Sequence, residues 1–171
     1  MRVLGIDPGL NATGWAVLER RRGRNALIAA GVVRTRSSAP MADRLRCIHE
    51  GVSTVISAHA PEGAAIEQIF QHRSSESALR LGHARGVALL ALSLSGLAVG
   101  EYNPSTIKKS VAGNGRAGKS EVQRLVCALL GLPKPLPQDA SDAAAIALTH
   151  LARAGLQARL DAIAAAAGGR S

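Results

Sequence analysis

Apolar and polar positions change their spacing several times along the chain, and each change marks an element. Arg2 to Ile6 is a short apolar run stopped by Asp7-Pro8-Gly9. Thr13 to Leu18 resumes with Trp15 and Val17 in alternation, so the two runs predict a hairpin. A charged turn, Arg20-Arg21-Arg22-Gly23-Arg24-Asn25, leads to a third strand over Leu27 to Arg34, and together the three predict an antiparallel meander. From Met41 to Ala58 the residues Leu45, Ile48, Val52, Val55 and Ile56 recur every three or four positions, a helical spacing closed by Pro61 and Gly63. Ala64 to Glu67 reads as a short buried strand, Ser74 to Ser95 as a long helix and Leu97 to Tyr102 as a fifth strand. Helical patterns follow at Pro104 to Val111 and Ser120 to Leu132, then from about Asp139 after a proline-rich linker, Pro133 to Pro137.

The order β-β-β-α-β-α-β-α-α-α predicts an α/β fold: a five-stranded mixed sheet with helices on both faces. At 171 residues, 47% of them hydrophobic, the chain suits one globular domain with a substantial core. We expect that domain over residues 1–155, with the end of the last helix and an Ala/Gly-rich tail over 156–171, where Ala162 to Ser171 is biased enough to fray. No internal repeat is visible.

Charge narrows the partners. Lysine and arginine number 21 against 12 acidic residues, a net charge of +9 that attracts polyanions. The excess is mostly arginine, which suits bidentate phosphate contacts, although a GC-rich genome produces the same bias. The N-terminal run meets Asp7 before a signal-peptide core can form, and the longest apolar stretch, Gly86 to Gly100, is shorter than the ~20 residues needed to span a bilayer. Cys47 and Cys127 lie far apart, outside any CxxC pattern, and read as reduced core thiols. A cytoplasmic protein with no membrane contact is expected.

Four of the twelve acids stand where packing does not require them. Asp7 ends the first strand, Glu67 ends the fourth, and Asp139 and Asp142 open the last helix, where i, i+3 spacing puts them on one face. Their flanks are apolar, so each stands at the boundary of the core. Carboxylates drawn together repel unless a cation neutralises them. Mg²⁺ suits oxygen ligands while keeping waters for substrate phosphates, and two such ions can activate water and stabilise a phosphodiester's leaving oxygen. Each residue also has a plain structural reading: Asp7 as a turn former, Glu67 as a solvent-facing strand end, Asp139 or Asp142 as an N-cap. The case for a nuclease rests on their combination with a basic chain and this element order.

The residues also carry a resemblance. Gly5-Ile6-Asp7-Pro8-Gly9 with Thr13-Gly14, Ile66-Glu67-Gln68-Ile69-Phe70, Leu81-Gly82-His83-Ala84-Arg85-Gly86, Lys119-Ser120-Glu121-Val122-Gln123 and Asp139-Ala140-Ser141-Asp142-Ala143 resemble the RuvC family, in the same order and at similar separations over roughly Met1 to His150. The resemblance implies a ribonuclease H-like fold and a homodimeric Holliday-junction resolvase. Such an enzyme places symmetric paired nicks in four-way DNA with Mg²⁺, or Mn²⁺ substituting, as two ions per subunit during catalysis, in recombination and repair. It further implies partners that bind and migrate the junction, the RuvA and RuvB proteins.

By the same resemblance Asp7, Glu67, Asp139 and Asp142 are the catalytic, metal-binding carboxylates, and Lys108 and Lys119 lie near the scissile phosphate. Lys109, Arg116, Arg73 and Arg80 are further candidates for DNA contact, each with solvated surface charge as its alternative. Phe70, the chain's one phenylalanine, is three residues past Glu67 and suits stacking on an unpaired base, against a place in the core. His83 departs from the family's usual glutamine and reads as a packing or surface variation.

Three other readings compete. Gly113-Asn114-Gly115-Arg116-Ala117-Gly118-Lys119-Ser120 fits the GxxxxGK[ST] phosphate-loop pattern, but the preceding Thr106 to Ala112 reads as a helix rather than the required strand, so no nucleotide cofactor is expected. Asp7-Pro8-Gly9 with Gly14 resembles the phosphate loop of actin-like kinases, whose ATP cleft needs two such domains. A junction-binding module without catalysis would need the basic charge but not the four acids.

Overall fold

The computed structural model describes residues 1–68 and 75–168; Phe70 and Arg73 lie outside them. Strands β1 (Arg2–Asp7), β2 (Ala12–Arg21) and β3 (Arg24–Arg34) precede α1 (Met41–His59), β4 (Gly63–Glu67), α2 (Ser75–Leu94) and β5 (Val99–Tyr102). Helices α3 (Pro104–Ala112), α4 (Lys119–Leu129) and α5 (Gln138–Gly168) complete the order. The sheet runs β3-β2-β1-β4-β5, antiparallel among its first three strands and parallel from β1 onward.

The meander is longer than its apolar runs imply. Pairing continues through Arg20↔Asn25 and Arg21↔Arg24, so the charged stretch expected as a turn is mostly strand. Only Arg22 and Gly23 turn the chain, at φ 50° and 79°, the left-handed pair that matches strand twist in a two-residue hairpin. At the other end of the chain, α5 continues through most of the tail expected to fray, reaching Gly168. The thiols differ as well: Cys47 and Cys127 are free but half-buried rather than in the core.

Alternation divides the sheet between two layers of helix. Leu4, Ile6, Val17, Ala64 and Ile66 pack with Ile48 and Val52 of α1 and Ala88 and Leu92 of α2. Val3, Ala16, Leu18 and Ala65 face the other way, into α3, α4 and the alanine-rich face of α5. Because side chains alternate, Asp7 shares the face of Val3 and Gly5, and Glu67 that of Ala65. Both strand-end carboxylates therefore emerge on the side covered by α5. The parallel pairing Ile6↔Ile66 sets those two ends beside each other.

Candidate active site

Two glycines bring α5 close to the sheet. A Cβ on Gly5 would collide with the Ala143 carbonyl and stand 2.8 Å from the Ala147 nitrogen, while one on Gly14 would collide with the Asp139 carbonyl and stand 3.1 Å from the Asp139 Cβ. Gly14 pairs with Asp7 across the β1–β2 ladder. The first turn of α5 is thus seated on the strand end that carries Asp7, and its positive N-terminal dipole end points at the carboxylates.

Asp7, Glu67 and Asp142 line one cavity of about 240 Å³, together with Lys108 of α3 and Lys119 at the start of α4. Asp139 is not among its lining residues but acts electrostatically on both Asp7 and Asp142. The Lys119 ammonium stands 3.9 Å from Asp142 Oδ2, and the Gln138 amide donates to Asp142 Oδ1 at 2.9 Å. Burial, then repulsion from Glu67 and Asp142, push the Asp7 carboxyl up to about 8, with Lys119 opposing. Asp142 is also raised, by burial first, against the Gln138 hydrogen bond and the nearby lysines. The lysines thus offset only part of the burial and repulsion that favour the protonated forms.

The donor set is anionic and all oxygen, which suits a hard divalent ion. Among the described residues, no group of three or more His, Cys, Asp or Glu side chains is arranged to hold an ion by itself. Instead the carboxylates ring a hollow. That arrangement suits Mg²⁺, which binds through one or two carboxylates and completes its shell with water and substrate phosphate.

The other candidates lie elsewhere. Lys109 and Arg116 are exposed and do not line this cavity, and Arg80 pairs with Glu76 at 2.6 Å on α2. His83 is exposed on α2, consistent with a surface variation. The glycine-rich run 113–118 sits between α3 and α4, so a helix and not a strand enters it. That removes the structural basis of a phosphate loop.

Arg85 carries a part that its sequence block gives no reason to assign. From α2 its Nε donates to the Glu67 carbonyl at 2.9 Å, and its Nη2 pairs with the Glu101 carboxylate of β5. The Gln68 amide also donates to the Tyr102 carbonyl at 2.9 Å, so the backbone that presents Glu67 is tied on both sides. Arg85 is one of several polar residues on α2 and reaches the Glu67 strand end only through folding, so it offers no linear signal of this contact.

A mixed sheet with carboxylates at the ends of adjacent parallel strands, closed by a helix that brings two more, is the ribonuclease H-like architecture. The model of the family described as "Crossover junction endodeoxyribonuclease RuvC" matches residues 3–150, and the chain belongs to this family. It is 45% identical over 165 residues to the protein of that name from Rhodopseudomonas palustris strain TIE-1, covering 96% of this chain and 95% of the relative. Identity to the Syntrophotalea carbinolica protein of that name is 48% over 150 residues, 88% of this chain and 93% of the relative. Among solved structures, Thermus thermophilus RuvC in complex with a Holliday junction substrate superposes with a TM-score of 0.84 at 38% identity, covering 91% of this chain and 96% of that one.

Proposed function

We propose that this chain is a divalent-metal-dependent endonuclease that resolves four-way DNA junctions by paired, symmetric nicks, in homologous recombination and repair. The observation that carries the reading is the single cavity that joins Asp7, Glu67 and Asp142 with Lys108 and Lys119. Acids alone would repel a phosphodiester and lysines alone would only bind it. The two together fit phosphodiester hydrolysis with a divalent ion that the acids would hold, and membership of the RuvC family names the junction as substrate.

In this reading Asp7, Glu67, Asp142 and the adjacent Asp139 hold Mg²⁺, with Mn²⁺ as a substitute and two ions during the reaction. Ions bound there supply an activated water and neutralise charge on the phosphate. Lys119, tethered near Asp142, and Lys108 orient the scissile phosphate by charge-assisted hydrogen bonds. The nuclease domain spans 1–155. Lys109 and Arg116 contact flanking DNA, and from the sequence we assign DNA contact to Phe70 and Arg73 as well.

Two strands cut symmetrically call for two sites related by a two-fold axis, which a C₂ homodimer provides. Leu79, Leu90 and Leu94 of α2 stand 62%, 51% and 72% exposed, an apolar stripe suited to burial against a second copy. RuvA and RuvB are the expected partners at the junction, in the cytoplasm. Among the described residues no helix is long and apolar enough to cross a membrane.

The test is cleavage of an end-labelled four-way junction with Mg²⁺ and no ATP, comparing wild type with Asp7→Asn under matched folding and binding. Symmetric nicks that vanish in the variant support the proposal. Tight binding without nicks in Mg²⁺ or Mn²⁺ reduces the chain to a junction-binding module.

A further inference from the structure

A second cluster of like charges lies at the same end of the sheet as the carboxylates, with the opposite sign. Arg34 ends β3, and Thr35 and Arg36 follow it. The registers Asp7↔Gly14 and Ala12↔Arg34 bring this strand end level with the catalytic one, two strands away. At the usual interstrand spacing the separation is about 12 Å. Since α3 follows β5, and β5 and β3 are opposite edges of the sheet, the arginines flank Asp7 on the side away from Lys108.

The cluster surrounds its own hollow of about 240 Å³, lined by Arg34, Thr35, Arg36, Asp43, Arg44 and Cys47 among others. Arg44 is its floor. Reaching across from α1, it is only 7% exposed and its guanidinium bonds to neutral acceptors: the Leu10 carbonyl at 3.1 Å, Asn11 Oδ1 at 2.5 Å and Thr35 Oγ1 at 2.9 Å. The side chains of Arg34 and Arg36 are exposed, with no hydrogen bond or ion pair to any described residue. Asp43 is the one acid present, and Arg46 already pairs with it at 3.4 Å.

Three arginines among the residues lining one hollow concentrate like charge at this strand end, and a buried cation with neutral partners strengthens the field there. Arg44 retains its place because its hydrogen bonds hold the Leu10-Asn11 loop, which keeps the hollow cationic. An anion lying across Arg34 and Arg36 neutralises that charge, as a cation does for the acids on the other side of β2. Because both arginines are exposed at the rim, the group they suit belongs to an extended polyanion passing over the surface.

We propose that Arg34 and Arg36, backed by Arg44, form a second backbone-phosphate site that holds the DNA on the β3 side of the scissile position. The proposal rests on the reading of this chain as a DNA-binding nuclease and adds a contact that its sequence motifs do not contain. The site positions DNA and takes no part in the chemistry.

The experiment measures junction affinity against salt concentration by fluorescence anisotropy, in Ca²⁺ to prevent turnover, for full-length wild type, each single variant and Arg34→Gln with Arg36→Gln. Each phosphate contact contributes about 0.9 to the slope of log affinity on log salt, so the double variant should lose about 1.8 and bind at least about tenfold more weakly near 0.1 M salt. Arg22→Gln with Arg24→Gln, at the opposite end of the sheet, should leave the slope unchanged. Single-turnover cleavage by saturating double variant should stay within about twofold of wild type. An unchanged slope, or an equal loss in the Arg22 and Arg24 control, overturns the proposal. Absence of nicks by wild type would overturn the nuclease reading instead, with the slope comparison still able to decide this one.

Discussion

Gly14 of β2 lies directly under the Asp139 backbone at the start of α5, leaving no room for a Cβ. Sheet and helix thus meet without a side chain between them, at the position paired with Asp7. Backbone cannot yield as a flexible side chain does. Gly14→Ala should therefore destabilise the fold by about 2–4 kcal/mol and displace the first turn of α5. Urea unfolding would measure the first effect, and loss of Mg²⁺-dependent cleavage by the remaining folded protein the second. A variant of wild-type stability and activity would show that α5 is not seated through this glycine.

Asp7 should cost stability when no ion is bound. Its carboxyl titrates near 3.8 when free in the unfolded chain but at about 8 in the fold. Between those values the native state holds the extra proton, so this group's contribution is present below pH 4 and is lost as pH rises through about 8. Asp142, raised in the same direction, adds to the loss. Thermal unfolding in EDTA should therefore show wild type weakening between about pH 5 and 8 relative to Asp7→Asn, with the variant melting several degrees higher at pH 8. Added Mg²⁺ should raise the wild-type midpoint more than the variant's. Equal midpoints throughout would mean that the carboxylates do not strain the apo fold.

Lys119 and Lys108 approach the same cavity from α4 and α3. Replacing Lys119 with Ala removes a cation from this cavity but leaves the rest of the basic surface. Single-turnover cleavage should fall about 100-fold with junction affinity changed less than about threefold, and Lys108→Ala should behave similarly. An affinity loss as large as the rate loss would make them binding residues only.

Arg85 acts through the strand end of Glu67. With Ala in its place the Glu67 carbonyl loses its donor and Glu101 its partner. The Mg²⁺ concentration for half-maximal cleavage should rise several-fold, and the Mg²⁺-induced gain in melting temperature should shrink, while the metal-free midpoint moves by only a few degrees. A large fall in the metal-free midpoint with normal Mg²⁺ dependence would mark Arg85 as structural alone.

Leu90 and Leu94 test the expected dimer. Both are more than half exposed on α2, so charge there should leave the monomer folded. Leu90→Glu with Leu94→Glu should shift sedimentation from dimer to monomer mass and uncouple the two nicks. A wild-type chain that sediments as a monomer with and without junction DNA would rule out the dimer.

Much of this molecule is determined locally. The alternation in β1, the three-to-four spacing in α1 and the stop at Asp7-Pro8-Gly9 are properties of neighbouring residues, so the element order and the four acids are legible in the chain itself. The i, i+3 pair Asp139 and Asp142 declares its common face for the same reason. The charged stretch from Arg20 to Asn25 misleads because exposed edge positions in a hairpin carry no apolar alternation, and pairing with the opposite strand extends them as β-structure.

Tertiary structure alone decided which of these residues meet. Parallel pairing of β1 with β4 set Asp7 beside Glu67, and the missing side chains of Gly5 and Gly14 let α5 bring Asp142 to the same cavity. It also placed Arg85 behind Glu67 and gathered Arg34, Arg36 and Arg44 around one hollow. Such contacts join residues far apart in the chain, and Coulomb repulsion and desolvation depend on distance in space, which residue spacing along the chain does not encode.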